Sequence, residues 1–324
     1  MRFSYTTLRE PSPQSGAKPV RIDGCLFGKP SPRDFRAVPQ LGSPPRKVDL
    51  RANCSPVEDQ GQLGSCTANA TIGALEYYQR KRGEAPADLS RLFVYFNARR
   101  LGGRVNDDSG AEIAEAMASL LAYGAPREDH WPYDIGRFRD QPDQNVYSEA
   151  LKNQPAEYAR VERGDGVIGA LARGYPVVFG IQLPRRCYDE AANTGVMPEP
   201  TPAEIDEAAF MGGGHAMLIV GYDLDRKTYL LRNSWGTNWG DRGYCTMPMS
   251  AAEGGSRPEE FWIIGRLEGQ DFKLLKPERT PVAGTVTGMT GKMRDEIRGG
   301  LDKGMTDAGK SIRDRFRQRH ENDR

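Results

Sequence analysis

Gln60-Gly61-Gln62-Leu63-Gly64-Ser65-Cys66-Thr67-Ala68 is the stretch on which the reading of this chain turns. A cysteine attacks a carbonyl as thiolate, so Cys66 needs a base beside it, and the base needs a third group to hold its ring. The chain offers the base as His215, in Gly-Gly-Gly-His215-Ala216, and the holding group as Asn233, in Arg232-Asn233-Ser234-Trp235-Gly236. Gln60, six residues before Cys66, can set an amide N–H beside the backbone N–H of Cys66 and stabilise the oxyanion of a tetrahedral intermediate. One candidate thus exists for every part of a thiol-based acyl-transfer site.

Local patterns place these residues. Ala70, Ala74, Tyr77 and Tyr78 recur at helical spacing after Cys66, which predicts an amphipathic helix burying one stripe. Cys66 then sits at a helix N-terminus, whose positive end favours the thiolate. Two more helices are predicted at Leu89 to Arg99 and at Ala111 to Tyr123, the latter stopped by Gly124 and Pro126. After a polar connector near 135 to 160, a short helix over Val167 to Leu171 leads into the apolar run Val177 to Ile181. Strand-like runs follow at Ala216 to Tyr222, Tyr229 to Arg232, Tyr244 to Met247 and Phe261 to Gly265. His215 opens one of them and Asn233 closes another. A helical half carrying the thiol therefore meets an antiparallel half carrying the base, an α+β arrangement with the site between them.

Four blocks in order give these residues a wider context: Val48-Asp49-Leu50-Arg51; Gln60 to Ala70; Gly214-His215-Ala216 running into Val220-Gly221-Tyr222; and Asn233-Ser234-Trp235-Gly236 with Trp239-Gly240 and Gly243-Tyr244. With a Cys-to-His spacing in the range of about 130–150 residues, the chain resembles a papain-like (C1 family) cysteine peptidase over roughly residues 46 to 268. It is closest to the bacterial type with a short N-terminal pro-region. The resemblance implies a two-lobe α+β fold, with a helical left lobe and an antiparallel β half-barrel right lobe. It implies a Cys66–His215 thiolate–imidazolium pair that opens a peptide bond through a thioester, with Asn233 holding the ring and Trp235 shielding that hydrogen bond. No cofactor and no metal are required. Three positions depart from the family pattern: Leu63 stands for a disulfide cysteine, Thr67 for an aromatic, and Leu50 for a tryptophan.

Substrate contacts follow from the same resemblance. Ser109-Gly110 lies where relatives pair their backbone with an extended substrate. Gly213-Gly214 lines the pocket for the residue two before the scissile bond, and Trp235 stands with them near the substrate. Absent side chains there let a substrate backbone approach, while a plain glycine turn is the other reading. Gly212-Gly213-Gly214 is not a phosphate loop, because no Lys-Ser/Thr and helix follow. Pro184 to Met211 carries Asp189, Glu190, Glu199, Glu204, Asp206 and Glu207. It reads either as a solvated loop or as a rim that draws basic substrates to the cleft. Of the three histidines, His320 sits in a charged tail and His130 precedes Trp131-Pro132-Tyr133, which resembles a family loop distant from the chemistry.

Composition sets the outer bounds. The chain has 324 residues, 38% of them apolar and a net charge of +1, which gives no electrostatic reason to expect nucleic acid. No run of 18 apolar residues predicts a membrane span. The N-terminus lacks a secretory h-region, so the default expectation is the cytoplasm, with leaderless export as the alternative. Five cysteines, at 25, 54, 66, 187 and 245, show no CxxC spacing; Cys54, Cys187 and Cys245 read as small buried hydrophobes. Four regions result. Residues 1–47 form a Pro-rich leader or a short inhibitory pro-segment lying in the cleft through Cys25-Leu26-Phe27 or Pro32 to Phe35. Residues 48–160 form the helical lobe with the nucleophile, and 161–268 the β-rich lobe with His and Asn. Residues 269–324 form an amphipathic, basic tail, which reads as disordered chain, as a protein-docking helix over 277–324, or as a membrane-contacting face. The functional expectation is an endopeptidase acting on peptides or proteins; the alternatives are a transglutaminase-like acyltransferase and a silent binding module.

Overall fold

The computed structural model describes residues 21–28, 34–39, 42–84, 88–155, 157–211, 213–254, 260–265 and 272–275. Its elements begin with strands β1 (Cys25–Leu26), β2 (Arg36–Pro39) and β3 (Lys47–Asp49), then helices α1 (Cys66–Lys81) and α2 (Arg91–Leu101). The short β4 (Ala111–Glu112) runs straight into α3 (Ile113–Tyr123), and α4 (Gln144–Ala150), β5 (Glu157–Arg160), α5 (Asp165–Ala172) and β6 (Val177–Ile181) follow. Helices α6 (Arg185–Thr194) and α7 (Pro202–Met211) lead to β7 (His215–Asp223), β8 (Thr228–Arg232) and β9 (Tyr244–Pro248). The order closes with α8 (Met249–Gly254), β10 (Phe261–Gly265) and β11 (Phe272–Leu275).

One sheet organises the molecule, with strand order β11-β2-β5-β10-β6-β7-β8-β9. Its neighbours pair antiparallel except β2 with β5. β6 takes the first half of one edge of β7 and β3 the second, through Val48↔Tyr222. Because side chains alternate along a strand, β7 feeds two cores. Ala216, Leu218 and Val220 join the core built around α1, α2 and α3. Met217, Ile219 and Tyr222 join the core on the opposite face, with Val167, Leu171 and Cys187. A strand buried on both faces reads as a nearly continuous apolar run, as Ala216 to Val220 does.

Helix α1 differs from the single buried stripe its sequence suggests: every residue from Cys66 to Tyr77 is buried. β7 covers one side, α2 and α3 another, and the polar residues of its first turns bond back along the chain, while Glu76 accepts the Leu89 N–H (2.8 Å). Thr71 donates to the Thr67 carbonyl (2.6 Å), and Asn69 to the Ser65 carbonyl (3.0 Å). Gly73 is required where the Arg232 guanidinium crosses the helix, since a Cβ there would strike it. That guanidinium then donates to Ser55 Oγ (3.1 Å) and the Pro56 carbonyl, tying the end of β8 across α1 to the segment before the nucleophile loop.

Three regions carry more structure than their composition suggests. The polar connector contains α4 and β5. The acidic segment 184–211 contains α6 and α7; α6 buries Cys187, Tyr188 and Ala191 and ends at Gly195 in the left-handed conformation (φ 69°). The leader divides in two, since Arg36–Pro39 pairs with β5 and β11 inside the sheet whereas Cys25–Leu26 pairs with β4. β11 itself follows Glu268 in the chain, and Phe272 packs edge-on to Tyr175 (5.0 Å). The tail helix suggested for 277–324 lies outside the described residues. Among the described residues no helix is long and apolar enough to cross a membrane.

Candidate active site

Cys66 is the first residue of α1, and the helix start is left open in an unusual way. Ser65, at the cap position, makes no side-chain capping bond. Its hydroxyl instead meets Tyr133 Oη (2.5 Å) and accepts from Asn69 (3.1 Å). The first-turn N–H groups of a helix have no intrahelical partner. Here they face the thiol, and the backbone N–H groups of Thr67 and Ala216 both act to lower its pKa. Burial outweighs them and pushes the Cys66 thiol up to about 12. Cys66 is thus a neutral thiol in this closed arrangement.

Ala216 follows His215, so the N–H that reaches Cys66 comes from the residue next to the base. His215 Nε2 lies 2.7 Å from Asn233 Oδ1. The same oxygen accepts the backbone N–H of Ser234 (2.8 Å), a group that can only donate. Asn233 Oδ1 is therefore the acceptor, and Nε2 carries the ring proton. The lone pair falls on Nδ1, which is buried and has no hydrogen-bond partner among the described residues. That is the atom able to take a proton from a neighbouring thiol. Burial holds the His215 imidazole down at about 4, against the Asn233 bond that raises it.

Aromatic packing fixes the ring. Trp235 stacks on His215 with centroids 4.3 Å apart and planes at 23°, while Tyr188 meets both rings edge-on. Trp239 closes the other side of Trp235. Trp235 thus lies against the imidazole, buried at 6% exposure. Gln60 is positioned as firmly. Its Nε2 donates to the Leu63 carbonyl (2.9 Å), its Oε1 accepts from the Ser234 hydroxyl (2.6 Å), and its backbone N–H bonds the Ser234 carbonyl (2.8 Å). Ser234 thereby joins the Gln60 loop to the Asn233 strand end. Leu63, in place of a disulfide cysteine, is simply buried, and all five cysteines are free thiols.

The remaining expected residues surround residues 21–28. Cys25 exchanges two backbone hydrogen bonds with Gly214 (2.7 and 2.8 Å), and Ala111 N–H donates to the Gly24 carbonyl (3.1 Å). Gly110 adopts φ +76° and approaches so closely that a Cβ would strike the Gly24 carbonyl oxygen. Its own N–H goes to Tyr95 Oη (3.1 Å), so the backbone donor used at this edge is Ala111. Ser109 Oγ bonds the neighbouring Gly110 carbonyl (3.0 Å). Gly213 backs onto Asp23, and the Phe27 ring lies over Gly214, where a Cβ would come within 2.5 Å of it. Residues 21–28 thus lie between the Gly110–Ala111 backbone and Gly213–Gly214.

Two expectations change. The Trp131-Pro132-Tyr133 loop is not distant, since Tyr133 Oη donates to the Gln60 carbonyl (3.0 Å) and meets Ser65. A tyrosine can span from a loop to a helix start, a reach that sequence separation hides. Half of the acidic residues of the 184–211 segment pair with its own cations: Arg186 takes Glu190 and Glu204, and Arg185 takes Asp189. Arg21, which no motif marks, acts on the thiol through space, opposed by Asp23, and is itself seated on Asp108. His130 is half exposed beside Glu149 (3.8 Å), remote from the cleft. Among the described residues no cluster of His, Cys, Asp and Glu could hold a metal ion.

The profile of the family described as "Papain family cysteine protease" matches residues 44–258. The chain belongs to the papain family of cysteine peptidases, as an α+β hydrolase of papain-like fold. It is 36% identical over 275 residues to an uncharacterized peptidase C1-like protein of Acanthamoeba polyphaga mimivirus, covering 81% of each chain. It is 32% identical over 231 residues to cathepsin K of Gallus gallus, covering 67% of this chain and 63% of that protein. Among solved structures it is similar to xylellain, a cysteine protease from Xylella fastidiosa, with a TM-score of 0.67 and 32% identity over 78% of this chain and 99% of that one. Membership implies protein or peptide substrates.

Proposed function

We propose that this chain is an endopeptidase in which Cys66 is the nucleophile, His215 the base and acid, and Asn233 the orienting group. Gln60 and the Cys66 N–H receive the oxyanion. The observation that carries this reading is the fixed tautomer of His215, whose Nδ1 lone pair is unpartnered among the described residues, one residue before the Ala216 N–H that reaches the Cys66 thiol at an uncapped helix start. Transfer of the Cys66 proton to Nδ1 gives the thiolate–imidazolium pair, and the thiolate adds to a peptide carbonyl. The oxyanion meets the Cys66 N–H and the Gln60 amide N–H that Leu63 leaves over. The imidazolium protonates the departing amine, and the neutral ring then draws a proton from the water that opens the thioester.

We further propose that the chain rests as a zymogen. Residues 21–28 occupy the cleft through backbone pairing with Gly214 and Ala111, and both reacting groups are neutral beneath them. Displacing that segment would hydrate the site and bring the two pKa values toward each other, which charge separation requires. The test is product analysis in ¹⁸O-water with a peptide substrate and a free amine. A new C-terminal carboxylate carrying ¹⁸O is expected from wild type and absent from Cys66→Ala. An isopeptide product without ¹⁸O would replace hydrolysis by acyl transfer.

A further inference from the structure

The cleft segment holds one charged side chain against the nucleophile loop, and its seat is elaborately made. One Arg21 Nη donates to the Asp108 carboxylate and the other to the Asp108 carbonyl (2.7 Å), while Nε donates to Asp23 (2.5 Å). The other Asp108 carboxylate oxygen accepts the Gly64 N–H (3.0 Å) and the Tyr95 hydroxyl (2.5 Å). Gly64 stands two residues before Cys66. A side chain at position 64 would meet the guanidinium carbon at 3.0 Å, so the glycine makes room for it. The seat is sheltered, with the Arg21 and Asp108 side chains 19% and 24% exposed. The guanidinium is near enough to the thiol to lower the Cys66 pKa.

Among the described residues Arg21 is the cation paired with the Asp108 carboxylate. Arg99, the next guanidinium on that side, donates instead to the carbonyls of Val105, Asp107 and Phe138. When residues 21–28 leave, Asp108 keeps its bonds to Gly64 and Tyr95 and loses the guanidinium bonded to its carboxylate, with Arg99 left acting on it only through space. It then lies directly before Ser109-Gly110 and bonded to the nucleophile loop, where the acyl side of a bound peptide meets Cys66. A carboxylate offering both a side-chain and a main-chain acceptor matches the fork of a guanidinium better than a single ammonium.

We propose that Asp108 is a specificity residue that selects substrates with arginine at the position supplying the scissile carbonyl, and that Arg21 occupies this seat as an internal stand-in. The assignment rests on the peptidase reading above. It also relocates the cleft's attraction for basic side chains from the partly self-paired 184–211 segment to the left wall of the site.

The test compares two peptidyl acyloxymethyl ketones on the full-length chain, one with arginine and one with its neutral isostere citrulline at the residue bearing the ketone. Second-order rates of Cys66 alkylation are read by mass. Both probes compete with the same cleft segment, so the closed fraction cancels in their ratio. The wild-type ratio is expected to exceed about tenfold in favour of arginine, and to fall within about threefold of unity in Asp108→Asn. Asp108→Ser is the second variant, keeping an acceptor for the Gly64 N–H. A wild-type ratio near one, or a preference that survives both substitutions, overturns the assignment while leaving the nucleophile in place. Failure of both probes to label Cys66 in the folded full-length chain and also in Arg21→Glu, where the cleft segment is loosened, overturns the peptidase reading and this assignment with it.

Discussion

The floor and the roof of the cleft are built on opposite principles. The floor consists of Cys66, His215, Asn233 and Gln60, all buried, each held by a helix start, a strand end or a bonded loop. Its precision comes from side chains with several constraints apiece: His215 is stacked, hydrogen-bonded and part of a sheet register. The roof, residues 21–28, is held chiefly by three backbone bonds, an arginine fork and one ring on a glycine. Glycines 24, 110, 213 and 214 let the backbones touch. The bonds that fix the floor do not run through the roof, although Cys25 of the roof packs into the helical core. On the zymogen reading proposed above, chemistry and access are separable properties of one chain.

The floor breaks first and hardest. Cys66→Ala should abolish peptide hydrolysis, a loss of at least about 10⁴-fold in kcat, because it removes the thiol at the helix start; retained turnover would assign the nucleophile elsewhere. Asn233→Ala should cost about 100-fold in kcat with a smaller change in KM, since it frees the imidazole tautomer without touching substrate. An unchanged kcat would mean that Trp235 and Tyr188 alone hold the ring.

The roof responds to protons. His215 is sealed at about 4, below its usual 6.5, so only the opened site binds a proton in that interval. Opening is therefore favoured as pH falls from about 6.5 to 4, by up to about tenfold per pH unit. Above 6.5 this contribution is constant. Hydrogen-exchange protection factors of the Cys25 and Gly214 amides, which bond each other's carbonyls, should fall across that window. Constant or rising protection would separate the roof from the state of the imidazole. The smallest effect belongs to the join beneath the floor. Tyr133→Phe removes a donor to Gln60 and a partner for Ser65, and should cost about 1 kcal/mol, a fall of roughly 2–4 °C in Tm. An unchanged Tm would show that the Gln60 loop holds itself.

The contrast also explains what the sequence makes legible. The floor is readable because each of its parts is a residue type that chemistry demands, at a turn or strand end that Gly, Pro and apolar runs announce. Strands β7, β8 and β10 and the short helix α5 follow directly from such runs. The α6 helix hides in a segment of six acidic residues, two of them its own, although Cys187, Tyr188 and Ala191 share one face and Gly195 closes it. Its charges pair along and between helices, which a reading of net charge does not capture. β2 hides in a proline-rich leader because a four-residue strand borrows its stability from β5 and β11, elements far away in the chain. Asp108 carries no motif, since its role depends on Gly64, Tyr95 and Arg21 arriving from three other segments.

The most direct test of a floor sealed by a separable roof is the rate at which an epoxysuccinyl thiol-protease inhibitor labels reduced full-length chain, compared with Arg21→Glu. The substitution sets two carboxylates against each other at Asp108 and leaves the sheet strand β2 intact. The expected result is a single adduct on Cys66 in both proteins, forming about tenfold faster in the variant. Equal rates, or adducts on Cys54 or Cys187 with Cys66 unmodified, would contradict the account.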